Sequence, residues 1–227
     1  MSGKGAIHLG LAAASLLVLA VGPARAATCP HGDDIAARLS SADQRAAMLC
    51  VLAAERGARG LAPVRESRLL TLAAQRHADD MVARHYFSHV TPGASTLAER
   101  VRATGYLRGW PSWQLGEAIA WAQEPLDTAD ELVHAWLNSP RHRAILLDRS
   151  FREIGIGVAL ALSGQAGGDG ATAVLDFGTR SSSTLAAWPT RSATACVRMA
   201  RRSPPGRSRC VSTSTRSRRS SRARRPS

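Results

Sequence analysis

The chain of 227 residues carries 30 Lys and Arg against 17 Asp and Glu, a formal net charge of +13 that excludes less than its size suggests. All the acids lie at or before Asp176, and twelve arginines follow Ser181 with no acid among them; without those twelve the formal charge is about +1. A nearly neutral body with a basic end is no argument for a nucleic-acid-binding domain, and after the first apolar run none reaches the ~18 residues of a membrane span.

The chain opens with "MSGKGAIHLGLAAASLLVLAVGPARAA". Lys4 supplies a positive start, residues 9–21 an apolar stretch, and Ala24-Arg25-Ala26 a small-x-small cleavage pattern. Residues 1–26 therefore read as a secretory leader, with the mature chain starting near Ala27 and destined for secretion or the periplasm. Four cysteines, Cys29, Cys50, Cys196 and Cys210, allow three full pairings. In an oxidising compartment Cys29 and Cys50 are natural partners, which would fasten a lead-in of residues 27–42 to the first helix. No C-x-x-C pair exists, so neither a zinc ribbon nor a thioredoxin-like motif is available.

The first helix is expected over about 42–56, capped by Ser40 or Ser41 and ended by Gly57 and Gly60. A second spans about 68–84 with Ser67 as its cap. Leu70, Ala74, Ala78 and Met81 recur at helical spacing toward the core, with His77 on the same side. After "TPGAST", residues 97–104 suit a third helix. "QLGEAIAWA" reads as a strand, and Asp127 or Thr128 caps a helix through Trp136 that Asn138-Ser139-Pro140 stops. "EIGIGVALAL" and "ATAVLDFG" form a strand pair joined by "SGQAGGDG". Helices first and an antiparallel pair last argue for an α+β domain, residues 43–180.

Residues 181–227 are Ser, Arg, Pro and Thr with little else, a composition expected to stay disordered. Three readings stand side by side: a basic arm for polyanions, a plain extension, and the product of a shifted reading frame. Arg outnumbers Lys 29 to 1, which suits a GC-rich coding region and the last of these.

Three separated segments carry side chains suited to chemistry: "HYFSH" with His89, "LGEAIA" with Glu117, and "SPRHR" with Ser139 and His142. Two imidazoles and a carboxylate make an open zinc-type ligand set, or a metal pair with a general base. Their long-range spacing is unlike H-E-x-x-H, and a lone histidine is more often a hydrogen-bonded structural group. No G-x-S-x-G motif offers a serine nucleophile. Of Trp110, Trp113, Trp121, Trp136, Tyr86 and Phe87, most read as core rather than as a ligand platform.

Together, "MLCVLAAERGARGLAPVRES", "LAAQRHADDMVARHYFSHVTP", "LAERVRATGY", "LGEAIA", "AWLNSPRHRAILL", "FREIGIGVAL" and "AVLDFG" resemble the CAP superfamily, the SCP/PR-1-like secreted domain, in its bacterial form. The resemblance covers residues 43–178 and rests on the order and spacing of the motifs. It implies a three-layer α-β-α sandwich around a small antiparallel sheet. It also implies one cleft holding His89, Glu117 and His142, with Ser139 near where other members carry a second acid. Ala118 and Ala53 replace frequent asparagines, and Arg141 a frequent glycine. The function so implied is a non-catalytic binding module for a divalent metal, zinc foremost, or for a small or lipidic ligand or envelope component. The alternatives are a metal-dependent hydrolase or peptidase of the envelope, and a polyanion-binding protein acting through its tail.

Overall fold

A computed structural model describes residues 29–93, 95–164, 168–182 and 191–199. Helix α1, Ser41–Gly57, starts where Ser40 accepts the Asp43 N–H, at 3.1 Å. Its buried Met48, Val51 and Leu52 face inward, and Cys50 bonds Cys29 with a Cα–Cα distance of 5.7 Å. The lead-in is thus tied to α1, as the cysteine spacing suggested. Strand β1, Arg65–Glu66, is followed at once by helix α2, Arg68–Ala83. Ser67 stands at the cap position of α2, but its side chain makes no capping bond; its N–H is spent on the Ile154 carbonyl at 2.7 Å.

Helix α3, Leu97–Ala103, begins with a reciprocal box between Thr96 and Glu99. Strand β2 runs Ser112–Ala122. Helix α4, Ala129–Asn138, is capped by Thr128, and helix α5, Pro140–Leu146, starts directly on its proline. Strands β3, Glu153–Ala159, and β4, Ala171–Ser181, follow.

Strands β2, β4 and β3 pair antiparallel, in the order β1-β3-β4-β2-β5. The sheet is mixed rather than purely antiparallel, because β1 joins β3 and β5 joins β2 in parallel. Strand β5 is Arg191–Met199, so disorder throughout 181–227 does not hold there. The physical reason is that a ladder recruits backbone groups: the open edge of β2 accepts a strand whatever its overall composition. Residues 1–28, which include the stretch expected to be a leader, and the arginine-rich remainder of the tail, with Cys210, lie outside the described residues.

The sheet separates two helical layers. One face carries Ala118 and Ala120 of β2, Ile154 and Ile156 of β3, and Leu175 and Phe177 of β4, packed with α1, α4 and α5 through Leu52, Trp136 and Ile145. The frequent asparagine position at Ala118 is here plain apolar core. The other face carries Leu115, Ile119 and Val174 against α2 and α3. Along β3 that face is Gly155 and Gly157, and a Cβ there would lie 2.0 Å and 2.3 Å from the backbone of Leu70 and Ala74. The glycines let α2 lie directly on the sheet, which fixes where its polar residue, His77, arrives.

Candidate functional site

Period-2 alternation puts Glu117 on the α2/α3 face of β2, between Leu115 and Ile119, while Gly116 faces Phe151 and Ile145 on the other. Antiparallel pairing sets Asp176 of β4 directly opposite Glu117, on the same face. Both carboxyls are fully buried. The sheet thus presents two acids side by side beneath two helices, a costly arrangement unless their charge is managed.

Partners from three segments do so. Helix α2 ends in a Schellman-type turn: His85 takes φ 53°, while the N–H groups of His85 and Tyr86 reach back to the carbonyls of Val82 and Met81. The reversal carries "YFSH" inward. His89 Nδ1 donates to Glu117 Oε1 at 2.6 Å, with the imidazole 5% exposed. Arg100 of α3 donates through Nη2 to Glu117 Oε2. Its Nη1 donates to the carbonyls of His89 at 2.9 Å and Ser95 at 3.0 Å. One guanidinium therefore joins the sheet, the His89 loop and α3.

His77 completes the cluster from α2. Its Nε2 lies 3.0 Å from the Ser88 carbonyl, which can only accept, so Nε2 carries the proton. Burial depresses this imidazole to about 4, and it is neutral at neutral pH. Burial works to raise Glu117, but Arg100 and the His89 bond outweigh it and hold the carboxylate below the usual range. Asp176 goes the other way. Burial and then the Glu117 charge push it well above the carboxylate range, against a partial pull from Arg100. Glu117 is the ionised member and Asp176 the protonated one. Neither His89 Nε2 nor Arg100 Nε has a hydrogen-bond partner among the described residues.

The sequence-derived set divides into two pairs. His89 and Glu117 meet. His142 belongs to α5, in the layer on the opposite face of the sheet, where its Nδ1 lies 2.7 Å from Ser139 Oγ. A zinc ion held jointly by His89, Glu117 and His142 does not fit this arrangement. Both Glu117 oxygens and His89 Nδ1 are already engaged, and no group of three or more His, Cys, Asp or Glu among the described residues is disposed to hold a metal ion. The members that sequence reasoning missed are Arg100 and Asp176, with His77 noted only as core-facing. Arg100 sits inside the quoted "LAERVRATGY", where a single arginine on an amphipathic helix carries no separate signal.

A cleft of ≈ 290 Å³ opens between α2 and α3, lined by residues that include Arg76, His77, Asp80, Thr91, Ser95 and Arg100. His77 and Arg100 are shared between the cleft and the buried cluster. Tyr86 braces its edge, donating to Asp80 Oδ2 at 2.5 Å; burial, then Asp80, push that phenol up to about 12. The aromatic residues lie mostly inside, Trp136 fully and Trp121 5% exposed, while Trp110 is 37% exposed.

A family-level match to the Cysteine-rich secretory protein family (CAP) covers residues 49–177. YkwD, an uncharacterized protein of Bacillus subtilis (strain 168), is 33% identical over 105 residues, which is 46% of this chain and 38% of that protein. YlbC, an uncharacterized membrane protein of the same organism, is 35% identical over 82 residues, 36% of this chain and 22% of that protein. The match thus spans well under half the length of either relative. An outer surface protein of Borrelia burgdorferi superposes with a TM-score of 0.52 at 20% identity, covering 63% of this chain and 97% of that one, a likeness of fold alone. The family match spans more than half of the chain and the three-layer architecture agrees with it: the protein belongs to the cysteine-rich secretory protein (CAP) family.

Proposed function

We propose that this CAP domain is an exported binding module that holds a ligand rather than transforming one. The observation that carries this reading is the state of Glu117. It is the acid that a hydrolytic mechanism would need as general base, yet it is fully buried with one oxygen taken by His89 and the other by Arg100. A base must reach the proton it removes, directly or through one water. Here the carboxylate acts as a fixed counter-ion. His89, Glu117 and Arg100 tie loop, sheet and α3 together, and so hold the wall of the adjoining cleft. Export is supported by the leader-like N-terminus, by the Cys29–Cys50 disulfide, and by the family's secretory character. No helix among the described residues is long and apolar enough to cross a membrane.

The test pairs two measurements on purified full-length protein. Turnover of a panel of peptides and wall polymers is expected to stay at the level of a boiled control, with or without chelator and with or without Glu117→Gln. Zinc titration is expected to give the same heats for the natural chain and for the His89→Ala/His142→Ala variant. Turnover abolished by chelator and by Glu117→Gln would overturn the reading and restore the metal-dependent hydrolase.

A further inference from the structure

We infer that Trp110, with the arginines of its loop, is a surface site for an acidic polysaccharide: a pyranose ring stacks on the indole and its carboxylates lie in the surrounding positive charge. The inference rests on the reading of the domain as an exported binding module. It adds a ligand class and a place on the fold outside the lining of the cleft between α2 and α3.

Trp110 is 37% exposed yet rigidly seated. Its loop is tied by the Trp110 N–H to the Leu107 carbonyl at 3.2 Å and by the Arg108 N–H to the Gly105 carbonyl at 3.0 Å. Gly109 supplies the turn, at φ 78°. The guanidinium of Arg180 lies over the Trp110 ring at 5.1 Å and over the buried Tyr106 ring at 4.0 Å. That guanidinium cannot drift. It donates through Nη2 to Glu153 at 3.1 Å and through Nη1 to the Tyr106 carbonyl at 2.9 Å. The Tyr106 hydroxyl donates to the same Glu153 at 2.8 Å. Half-buried Trp113 stands opposite Arg180 across the β2–β4 pair.

The size of the apolar surface selects the partner. The other large apolar side chains exposed among the described residues, Leu69, Leu72 and Leu160, belong to α2 and the end of β3. A whole indole offers roughly 150–250 Å², against about 800 Å² per partner in a stable protein interface. One ring set among polar groups instead suits a ligand with one apolar face and a polar rim. A pyranose has that form, with C–H groups on its face and oxygens around its edge.

Charge selects among pyranoses. Between Glu99 and Glu117 the chain has no acid, and it carries Arg100, Arg102 and Arg108. Arg100 is spent on Glu117. Arg102 and Arg108 are exposed and make no ion pair among the described residues. Arg108 is two residues from Trp110, within about 7 Å along the backbone. The nearby acids are already engaged, Glu153 by Arg180 and Glu99 by the N–H and hydroxyl of Thr96. The field around the indole is therefore positive, and an acidic sugar polymer complements it.

The experiment is isothermal titration of the full-length chain, disulfide intact, with oligogalacturonate, with its fully methyl-esterified form and with poly-glutamate, all at one ionic strength. Oligogalacturonate is expected to bind saturably, the neutral ester more weakly and poly-glutamate weakest. Trp110→Ala is expected to weaken oligogalacturonate about tenfold, with Trp110→Phe restoring part of the loss and both variants keeping the natural urea midpoint. Arg102→Ala/Arg108→Ala is expected to weaken oligogalacturonate but not the ester. No saturable binding, poly-glutamate as tight as the sugar acid, an unchanged affinity in Trp110→Ala, or an ester as tight as the acid would each overturn the inference. None of these readings involves turnover, so the ligand class can fail while the binding module stands.

Discussion

Replacing Asp176 by asparagine tests the charge assignment inside the sheet–helix layer. Asp176 is fully buried, faces Glu117 across the strand pair, and is raised well above its ordinary value of 3.8 by burial and then by Glu117. The folded state therefore keeps a proton that the unfolded chain releases near pH 3.8. A raised folded-state value means that its contribution to stability is full below that pH and is lost as pH rises toward the folded value. Each pH unit in this window removes about 1.4 kcal/mol. His77 slopes the opposite way. Depressed from 6.5 to about 4 by burial, it contributes stability above pH 6.5 that is lost as pH falls through the window. Between about pH 4 and 6.5 the two slopes oppose each other, with Glu117, Arg100 and His89 as the other charged or titratable groups facing them. The amide introduced by Asp176→Asn is nearly isosteric with the acid and titrates nowhere. The variant should therefore gain on the natural protein by about 1.4 kcal/mol per pH unit above pH 4 for as long as the folded acid stays protonated. Urea denaturation of both chains at pH 5, 6 and 7, with the disulfide intact, reads the difference directly. A gap that does not change with pH, or a variant less stable than the natural chain at pH 7, would mean that Asp176 is ionised and paired in the fold, and the reasoning would fail.

Glu117→Gln leaves the Arg100 guanidinium buried without its anion and should cost about 3–5 kcal/mol by thermal or urea unfolding, with part recovered when Arg100→Met is added. Deleting the Cys29–Cys50 bridge, which closes a separation of 21 residues, should cost ~3 kcal/mol, and a reductant should shift the midpoint of the natural chain alone. His85→Gly relieves a non-glycine residue at φ 53° and should raise stability by about 1 kcal/mol, measured as a higher urea midpoint at constant slope.

The helices were legible because their signals are local. Leu70, Ala74, Ala78 and Met81 mark one stripe of α2, and each is fully buried. Ser40 and Thr128 occupy cap positions that short polar side chains favour. The meeting of His89 with Glu117 was reached through the order and spacing of motifs, since nothing in "HYFSH" or "LGEAIA" by itself says which way either side chain points. Strand β5 was missed because a ladder needs a free edge more than a hydrophobic stretch, and the free edge belongs to β2, far away in sequence.

What the sequence by itself determined is the principal helices and three central strands and their α+β class: these follow from periodicity and capping chemistry, properties of neighbours along the chain. Only the tertiary structure decided which polar groups share a layer. Asp176 carries no separate signal in "AVLDFG", and is a buried acid because Gly155 and Gly157 let α2 settle onto that face. His142 and Glu117 are parted for the same kind of reason: α5 covers the face of the sheet opposite the one from which Glu117 projects, and alternation along one strand cannot say which helices cover which side.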